Sequence, residues 1–389
     1  MKRVLLLSLA GATAVKLYLA AFTNGSFDVV AYQDQLRMIH DFGAGVYRQL
    51  SIYGNPFNHP PPMIHVIELW GWLSSSGIPF GFWFRFTSTL ADVGSFFLVW
   101  RLLKVLNREN SPALFALAIC PASILISGFH GNTDSLMILF LLLSICFTTK
   151  ESHWGGVFFG CALSVKLVPL IFGPAFFFFL PWRKRFEFFA LAGALFFAFS
   201  LPYVLEDPSG ILRGVFAYSS LYGKWGLTLI AYLTFSEPPV FLHSGYEVLG
   251  IHAVFAQFLK YLTLTLAMFI AFRLRRESLF IQCGFIAALL LSLTPGFGVQ
   301  YLLWLVPFVT ILPLRTELIY YAMTGVYLFI VYFCYAEKYC PNPIILSLLS
   351  LTCWLGVLWV LLEFVRLTKS GNFTNSVNIR QASPVTERN

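Results

Sequence analysis

Residues 154–181 read WGGVFFGCALSVKLVPLIFGPAFFFFLP, and how this stretch divides decides the fold. It holds one charge, Lys166, near its middle. A helix that spans a bilayer takes about 20 predominantly apolar residues. As one long helix the stretch would leave a bare ammonium at the bilayer centre, at about 2.5–3.5 kcal/mol on insertion scales. It would also carry the cluster Arg183-Lys184-Arg185 to the side of the membrane that Lys and Arg avoid. Two short helices with Lys166 at the turn between them resolve both difficulties.

The surrounding chain fits a membrane setting. Of its 389 residues 58% are hydrophobic and 11% charged, against about 25% charged in a soluble domain. That excludes a cytosolic enzyme, a secreted disulfide scaffold and a disordered chain. The net charge of +8 is spread as short Lys/Arg clusters between apolar runs, the pattern of topology signals. A nucleic-acid interface would need a concentrated basic face, and none is present. Of the seven cysteines, six sit inside apolar runs as small hydrophobes. Cys334 and Cys340 are near enough in sequence to pair. No Cys/His spacing suggests zinc.

The expected architecture is an all-α polytopic protein of about twelve spans (between ten and thirteen). They fall at 4–22, 81–104, 111–127, 133–149, 154–165, 167–181, 186–203, 250–272, 278–293, 300–314, 316–335 and 342–365. The first follows Lys2-Arg3 as a signal peptide would. Lys16 interrupts its apolar core and no cleavage site stands out, so it reads as an uncleaved span. With the N-terminus cytoplasmic, seventeen of the 26 basic residues fall on the inner side. Two outer segments, 23–80 and 204–249, are too long for simple connections, and long loops are usually functional. Within the first, 62–73 is apolar but short, as an interfacial or re-entrant helix is. Residues 1–369 read as one membrane domain, and 370–389 as a polar cytoplasmic tail expected to be disordered.

Aspartate is the informative residue type. The six are Asp28, Asp34, Asp41, Asp92, Asp134 and Asp207, and none falls in a segment assigned to the cytoplasm. Asp34 and Asp41 read as solvated loop carboxylates. Asp28 follows the first span at the membrane face, where a partly dry carboxylate suits a general base. His59, in Asn58-His59-Pro60-Pro61-Pro62, could donate to a sugar or phosphate oxygen, and the prolines aim the chain into the short helix. Arg85 and Asp92 lie seven residues apart, on one helix face. Arg85 suits a lipid phosphate, with Asp92 as its buried partner.

His130, Asn132 and Asp134 crowd a turn between two spans, where polar groups are costly unless paired or functional. Helix capping by Asn132 or Thr133 would explain part of that turn. Gln300 and Tyr301 follow the turn Thr294-Pro-Gly-Phe-Gly-Val and could touch a sugar. Tyr218, Tyr222, Lys224 and Trp225 are further candidates for a carbohydrate or lipid contact. Asp28, His59, Arg85, His130, Asp134, Lys166 and Gln300 all fall on one membrane face.

These residues resemble the GT-C superfamily of integral membrane glycosyltransferases, and most closely bacterial polyprenyl-phosphate-mannose-dependent mannosyltransferases. The resemblance rests on Asp28 with Tyr32 four residues on and on Asn58-His59-Pro60-Pro61-Pro62. It rests also on Gly131-Asn132-Thr133-Asp134-Ser135-Leu136, Lys166-Leu-Val-Pro169 and Pro295-Gly-Phe-Gly-Val-Gln300-Tyr301. It implies an inverting transfer of a hexose, mannose first, from a polyprenyl-phosphate donor to a glycolipid or glycan acceptor at the outer face. Asp28 would be the catalytic base. Arg85, His59, His130 or Lys166 would stabilise the departing phosphate, and Tyr32, Asn132, Asp134, Gln300 and Tyr301 would contact substrate. No metal is implied. The alternative is a divalent cation shared by Asp28 and Asp134, as in members that use diphosphate donors. A bacterial plasma membrane is favoured over the endoplasmic reticulum. The rival class is a transporter or flippase of a lipid-linked sugar, but the chain shows no internal repeat.

Overall fold

The computed structural model describes residues 2–52, 54, 56–218, 220–242, 247–337 and 342–369. Cys340 and the tail 370–389 lie outside the described residues. Among the described residues the regular structure is helical apart from one hairpin of two-residue strands, Phe241–Leu242 and Glu247–Val248, and two isolated bridges.

Every expected apolar segment is helical. The first five helices are α1 (Lys2–Phe22), α2 (Phe27–Phe42), α3 (Pro62–Ser74), α4 (Phe80–Val105) and α5 (Ser111–His130). Then come α6 (Asp134–Thr148), α7 (Trp154–Val165), α8 (Val168–Phe179), α9 (Trp182–Glu206) and α10 (Gly226–Thr234). The last five are α11 (Ile251–Arg273), α12 (Leu279–Leu293), α13 (Val299–Val309), α14 (Leu314–Glu337) and α15 (Pro343–Lys369). Among the described residues six have the length and composition to cross a membrane: α1, α5, α9, α11, α14 and α15. Helix α4 has 26 residues but is interrupted by Arg85 and Asp92. Helices α6, α7, α8, α12 and α13 are shorter.

The opening stretch divides as expected. Helix α7 stops at Val165, and Lys166 is extended (φ −152°, ψ 154°). Helix α8 then starts with a 3-10 turn that holds Pro169. At 12 residues, α7 rises about 18 Å, well short of a hydrocarbon core of about 30 Å. It is therefore held by packing. A Cβ on Gly156 would come 2.5 Å from the Phe188 carbonyl oxygen, and one on Gly160 2.8 Å from that of Ala192. The two glycines, four residues apart, let α7 lie backbone to backbone on α9, as small residues do at membrane helix contacts.

The two segments expected as long loops are folded. Segment 23–80 contains α2, a 3-10 turn (Gly43–Arg48) and α3, whose Met63, Ile64, Ile67 and Trp70 are buried. Segment 204–249 contains two short turns, α10 and the hairpin. Asp34 is not the solvated carboxylate expected of it. It is buried, accepts the Ile52 N–H at 3.1 Å and faces Arg37 at 3.5 Å, so it ties α2 to the chain beyond the 3-10 turn. Asp41 is exposed.

The expected Arg85–Asp92 pair does not form. Asp92 pairs instead with Lys16 of α1, and both bond Ser123. Arg85 is buried and donates only to main-chain oxygens of Gly81, Leu19 and Thr23 and to the Thr23 hydroxyl. Arg85 and Asp92 are thus both matched by the first helix and the residue after it. The carbonyls at the end of α1 need donors, and a buried ammonium needs a carboxylate.

Candidate active site

Three structural devices bring the polar residues together. Helix α2 begins at Ser26, whose hydroxyl accepts the Asp28 N–H (3.1 Å) and donates to the His130 carbonyl (2.9 Å). Helix α5 ends in a π-helical turn, Ile124–His130, which turns His130 toward α2. Gly131 then sits at φ +73°, where a Cβ would come 2.9 Å from Arg85 Cγ. A left-handed conformation costs a side-chain-bearing residue roughly 1–2 kcal/mol. Arg85 therefore supports the turn from behind and does not line the cavity.

Asn132 is the hub. Its amide donates to Asp28 Oδ2 at 2.7 Å. Its Oδ1 accepts Lys166 Nζ at 2.9 Å and the Asp134 N–H at 3.2 Å. His130 Nε2 stands 3.1 Å from the same Asp28 oxygen. Asp134 is fully buried, 2.8 Å from Lys166 Nζ and 2.7 Å from the Trp304 indole N–H. It fixes the lysine and does not line the cavity. Asn132 thus accepts the N–H at the start of α6, as expected of a capping residue, while Thr133 meets the Tyr32 hydroxyl at 3.2 Å.

Burial pushes the Asp28 carboxyl up, but it is outweighed. The His130 charge and hydrogen bond, the Asn132 amide and the Lys166 ammonium hold it below the ordinary carboxylate value. Its side chain is 30% exposed, so one edge remains open. His59 is 7% exposed, and burial together with the Lys166 charge brings its pKa down to about 3, so the imidazole is neutral. Its ring lies tilted against Tyr32, centroids 4.9 Å apart.

These groups border a cavity of about 940 Å³, at the upper end of the roughly 300–1,000 Å³ usual for small-molecule sites. Asp28, Tyr32, His59, His130, Asn132, Lys166, Gln300 and Tyr301 all line it. Tyr301 stacks on Trp304 at 4.0 Å, with Lys166 Nζ 6.0 Å from its ring. The lining also includes Leu229, Leu233, Leu264, Leu290 and Leu346, together with Lys224 and Lys260. Tyr218 lines the cavity as well. Tyr222 and Trp225 do not: Tyr222 bonds His252 at 2.8 Å, and Trp225 is buried flat on Phe297.

The residues do not fit a cation shared by Asp28 and Asp134. Lys166 and Trp304 engage the Asp134 oxygens, and Lys166 takes the position at that carboxylate that a shared cation would need. Among the described residues no three His, Cys, Asp or Glu side chains gather as metal ligands.

Sequence reading missed Trp304, Gln35 and Lys260. Lys260 had a signal, an ammonium within the apolar run of α11. Trp304 and Gln35 had none, since nothing local marks a core tryptophan that meets a carboxylate 170 residues away.

Residues 69–202 match the ALG6, ALG8 glycosyltransferase family. That is a GT-C-type membrane glycosyltransferase family, and the match bears out the GT-C resemblance drawn from the motifs. It supports glycosyltransferase activity, and with it a lipid bilayer and lipid-linked glycan substrates as partners. No curated protein matches the chain.

Proposed function

We propose that the protein is an inverting membrane glycosyltransferase that moves a hexose from a polyprenyl-phosphate donor to a lipid-linked glycan, with Asp28 as general base. The observation that carries this is a carboxylate with one free edge on a large cavity, backed by His130, Asn132 and Lys166. An acceptor hydroxyl hydrogen-bonded to that edge attacks the anomeric carbon. Its proton passes to Asp28 as the new C–O bond forms. The bond to the phosphate breaks, and its electron pair leaves with the phosphate. Lys166, Lys224 and Lys260 are ammonium groups on the cavity wall within whose field that charge develops. The leucines of the lining suit the isoprenoid. No metal takes part.

The matched family's ER-type glucosyltransferases put glucose ahead of the mannose expected from the motifs. The expectation of a bacterial plasma membrane finds no support, since that family is one of the endoplasmic reticulum membrane. The twelve apolar segments, short pairs included, form one membrane domain with the cavity on the extracytoplasmic side.

The test is transfer by purified protein supplied with polyprenyl-phosphate-glucose or polyprenyl-phosphate-mannose and lipid-linked glycan acceptors. Asp28→Asn is expected to lose at least about a hundredfold, the low end of general-base contributions. Full activity in that variant removes Asp28 as the base. Loss of transfer on chelation restores the metal alternative. Donor movement across the bilayer without transfer favours transport.

A further inference from the structure

His59 borders the cavity as an acceptor and not as the donor expected of it. Its Nδ1 is buried with no hydrogen-bond partner on the protein among the described residues. The ring also hydrogen-bonds the Val165 backbone, and that bond favours the protonated ring, so the ring donates it. Burial and the Lys166 charge keep the imidazole neutral. A neutral imidazole has one N–H to give. Val165 takes it, and Nδ1 presents a bare lone pair. Packing holds the ring against exchange of its two nitrogens. It lies against Tyr32 at 4.9 Å and edge-on to Phe57 at 5.9 Å, and the His59 carbonyl accepts the Tyr47 hydroxyl at 2.7 Å. Gln35 Oε1 and Asn58 Oδ1 are also buried without partners, but an amide can turn its N–H to a ligand. His59 has no such freedom.

A bare lone pair selects its ligand. The donor phosphate is a diester without a proton, and an isoprenoid has no polar hydrogen, so neither can meet Nδ1. A sugar hydroxyl can, and a buried acceptor left unpaired is costly. The charges around His59 decide which sugar. It lies within the fields of both Asp28 and Lys166. Displacement with inversion is in line, so the ring in transit sits between the base and the leaving phosphate. Asp28 marks the one side and Lys166 the other. Given the proposed role of Asp28, on which this rests, we infer that His59 Nδ1 accepts a hydroxyl of the transferred hexose. His59 then reads the donor sugar and does not stabilise the departing phosphate. A hexose that lacks that hydroxyl, or carries it on the other face of its ring, leaves Nδ1 unpaired and is rejected.

The experiment compares polyprenyl-phosphate-glucose and polyprenyl-phosphate-mannose with counterparts that each lack one sugar hydroxyl. In wild type one of these deoxygenations should lower kcat/KM by about 5- to 150-fold, the cost of a buried acceptor left unpaired. His59→Phe keeps a ring but removes the lone pair. In that variant the same deoxy donor and its parent should transfer equally, within about twofold. The remaining deoxy donors should change by the same factor in both proteins. His59→Leu takes its place if the phenyl ring prevents folding. A second arm measures donor binding by calorimetry in Asp28→Asn, with and without His59→Phe. The same single hydroxyl should matter there only while His59 is present. Wild type indifferent to every deoxygenation, or a penalty that persists in full without His59, overturns the assignment. If Asp28→Asn keeps full transfer while the hydroxyl and His59 stay coupled, the base assignment fails and the hydroxyl contact stands. If no donor is transferred at all, the binding arm decides alone.

Discussion

Asp28 illustrates how a carboxylate is kept ionised in a poorly solvated place. Burial alone would raise its pKa, and His130, Asn132 and Lys166 reverse the sign. A base acts deprotonated, so activity falls as pH drops through its pKa. With that pKa below the ordinary 3.8, the rate should stay flat on the acid side down to the pH at which the protein unfolds. His130→Phe keeps an aromatic ring against Tyr332 (5.1 Å) but removes the imidazole nitrogen 3.1 Å from the carboxylate. Burial is then less opposed, the pKa rises, and the acidic limb of the kcat/KM profile should move to higher pH. An unmoved limb would mean that His130 does not set the charge of Asp28. Asp28 was identifiable in the sequence because a membrane-face carboxylate is rare and expensive. Its partners were identifiable as types, since His130, Asn132 and Asp134 share one turn. Their roles were not. Asp134 looked like a substrate contact and is the buried anchor of Lys166, because which carboxylate faces a cavity depends on helix rotation.

At the scale of the helices, one charge in an apolar run was enough to break 154–181 in two. The partners of charges on different helices were invisible. Arg85 and Asp92 share a face of α4 by periodicity, yet both reach α1, and Lys16 is 76 residues from Asp92. The contact of α7 with α9 depends on Gly156 and Gly160, whose would-be Cβ atoms meet main-chain atoms that cannot swing aside. Gly156→Leu should push α7 from α9, displace Lys166 at the end of α7 and lower the melting temperature in detergent by several degrees. Overpacking of this kind typically costs about 1–3 kcal/mol. Gly193, with nothing within 4 Å of its would-be Cβ, is the control, and Gly193→Ala should melt no lower than wild type. Equal melting of the Gly156 and Gly193 variants would count against backbone-to-backbone packing.

Across the whole molecule the proposed topology has a direct readout. Ser76 and Glu109 flank α4 at opposite ends and are exposed. A membrane-impermeant thiol reagent should label Ser76→Cys in intact vesicles from the extracytoplasmic side, and Glu109→Cys only from the other. Labelling of both from one side would place α4 along the membrane instead of across it. The helical architecture was readable from composition, but the two long connections were not readable as folded. Their helices are short and only partly apolar, and the burial of Asp34, which accepts the Ile52 N–H from beyond the 3-10 turn, depends on a contact that local sequence does not mark.

The wall of the cavity is drawn from Ser26 at one end of the chain to Ser350 in the last helix. During synthesis Asp28 is made well before Pro343, Leu346, Ser347 and Ser350, which complete the wall. The enclosure around the reacting atoms is therefore finished only when α15 has left the ribosome and docked on α12 and α14. Until then an emerging chain displays its carboxylate beside an open chamber, so on the proposed reading turnover waits for α15.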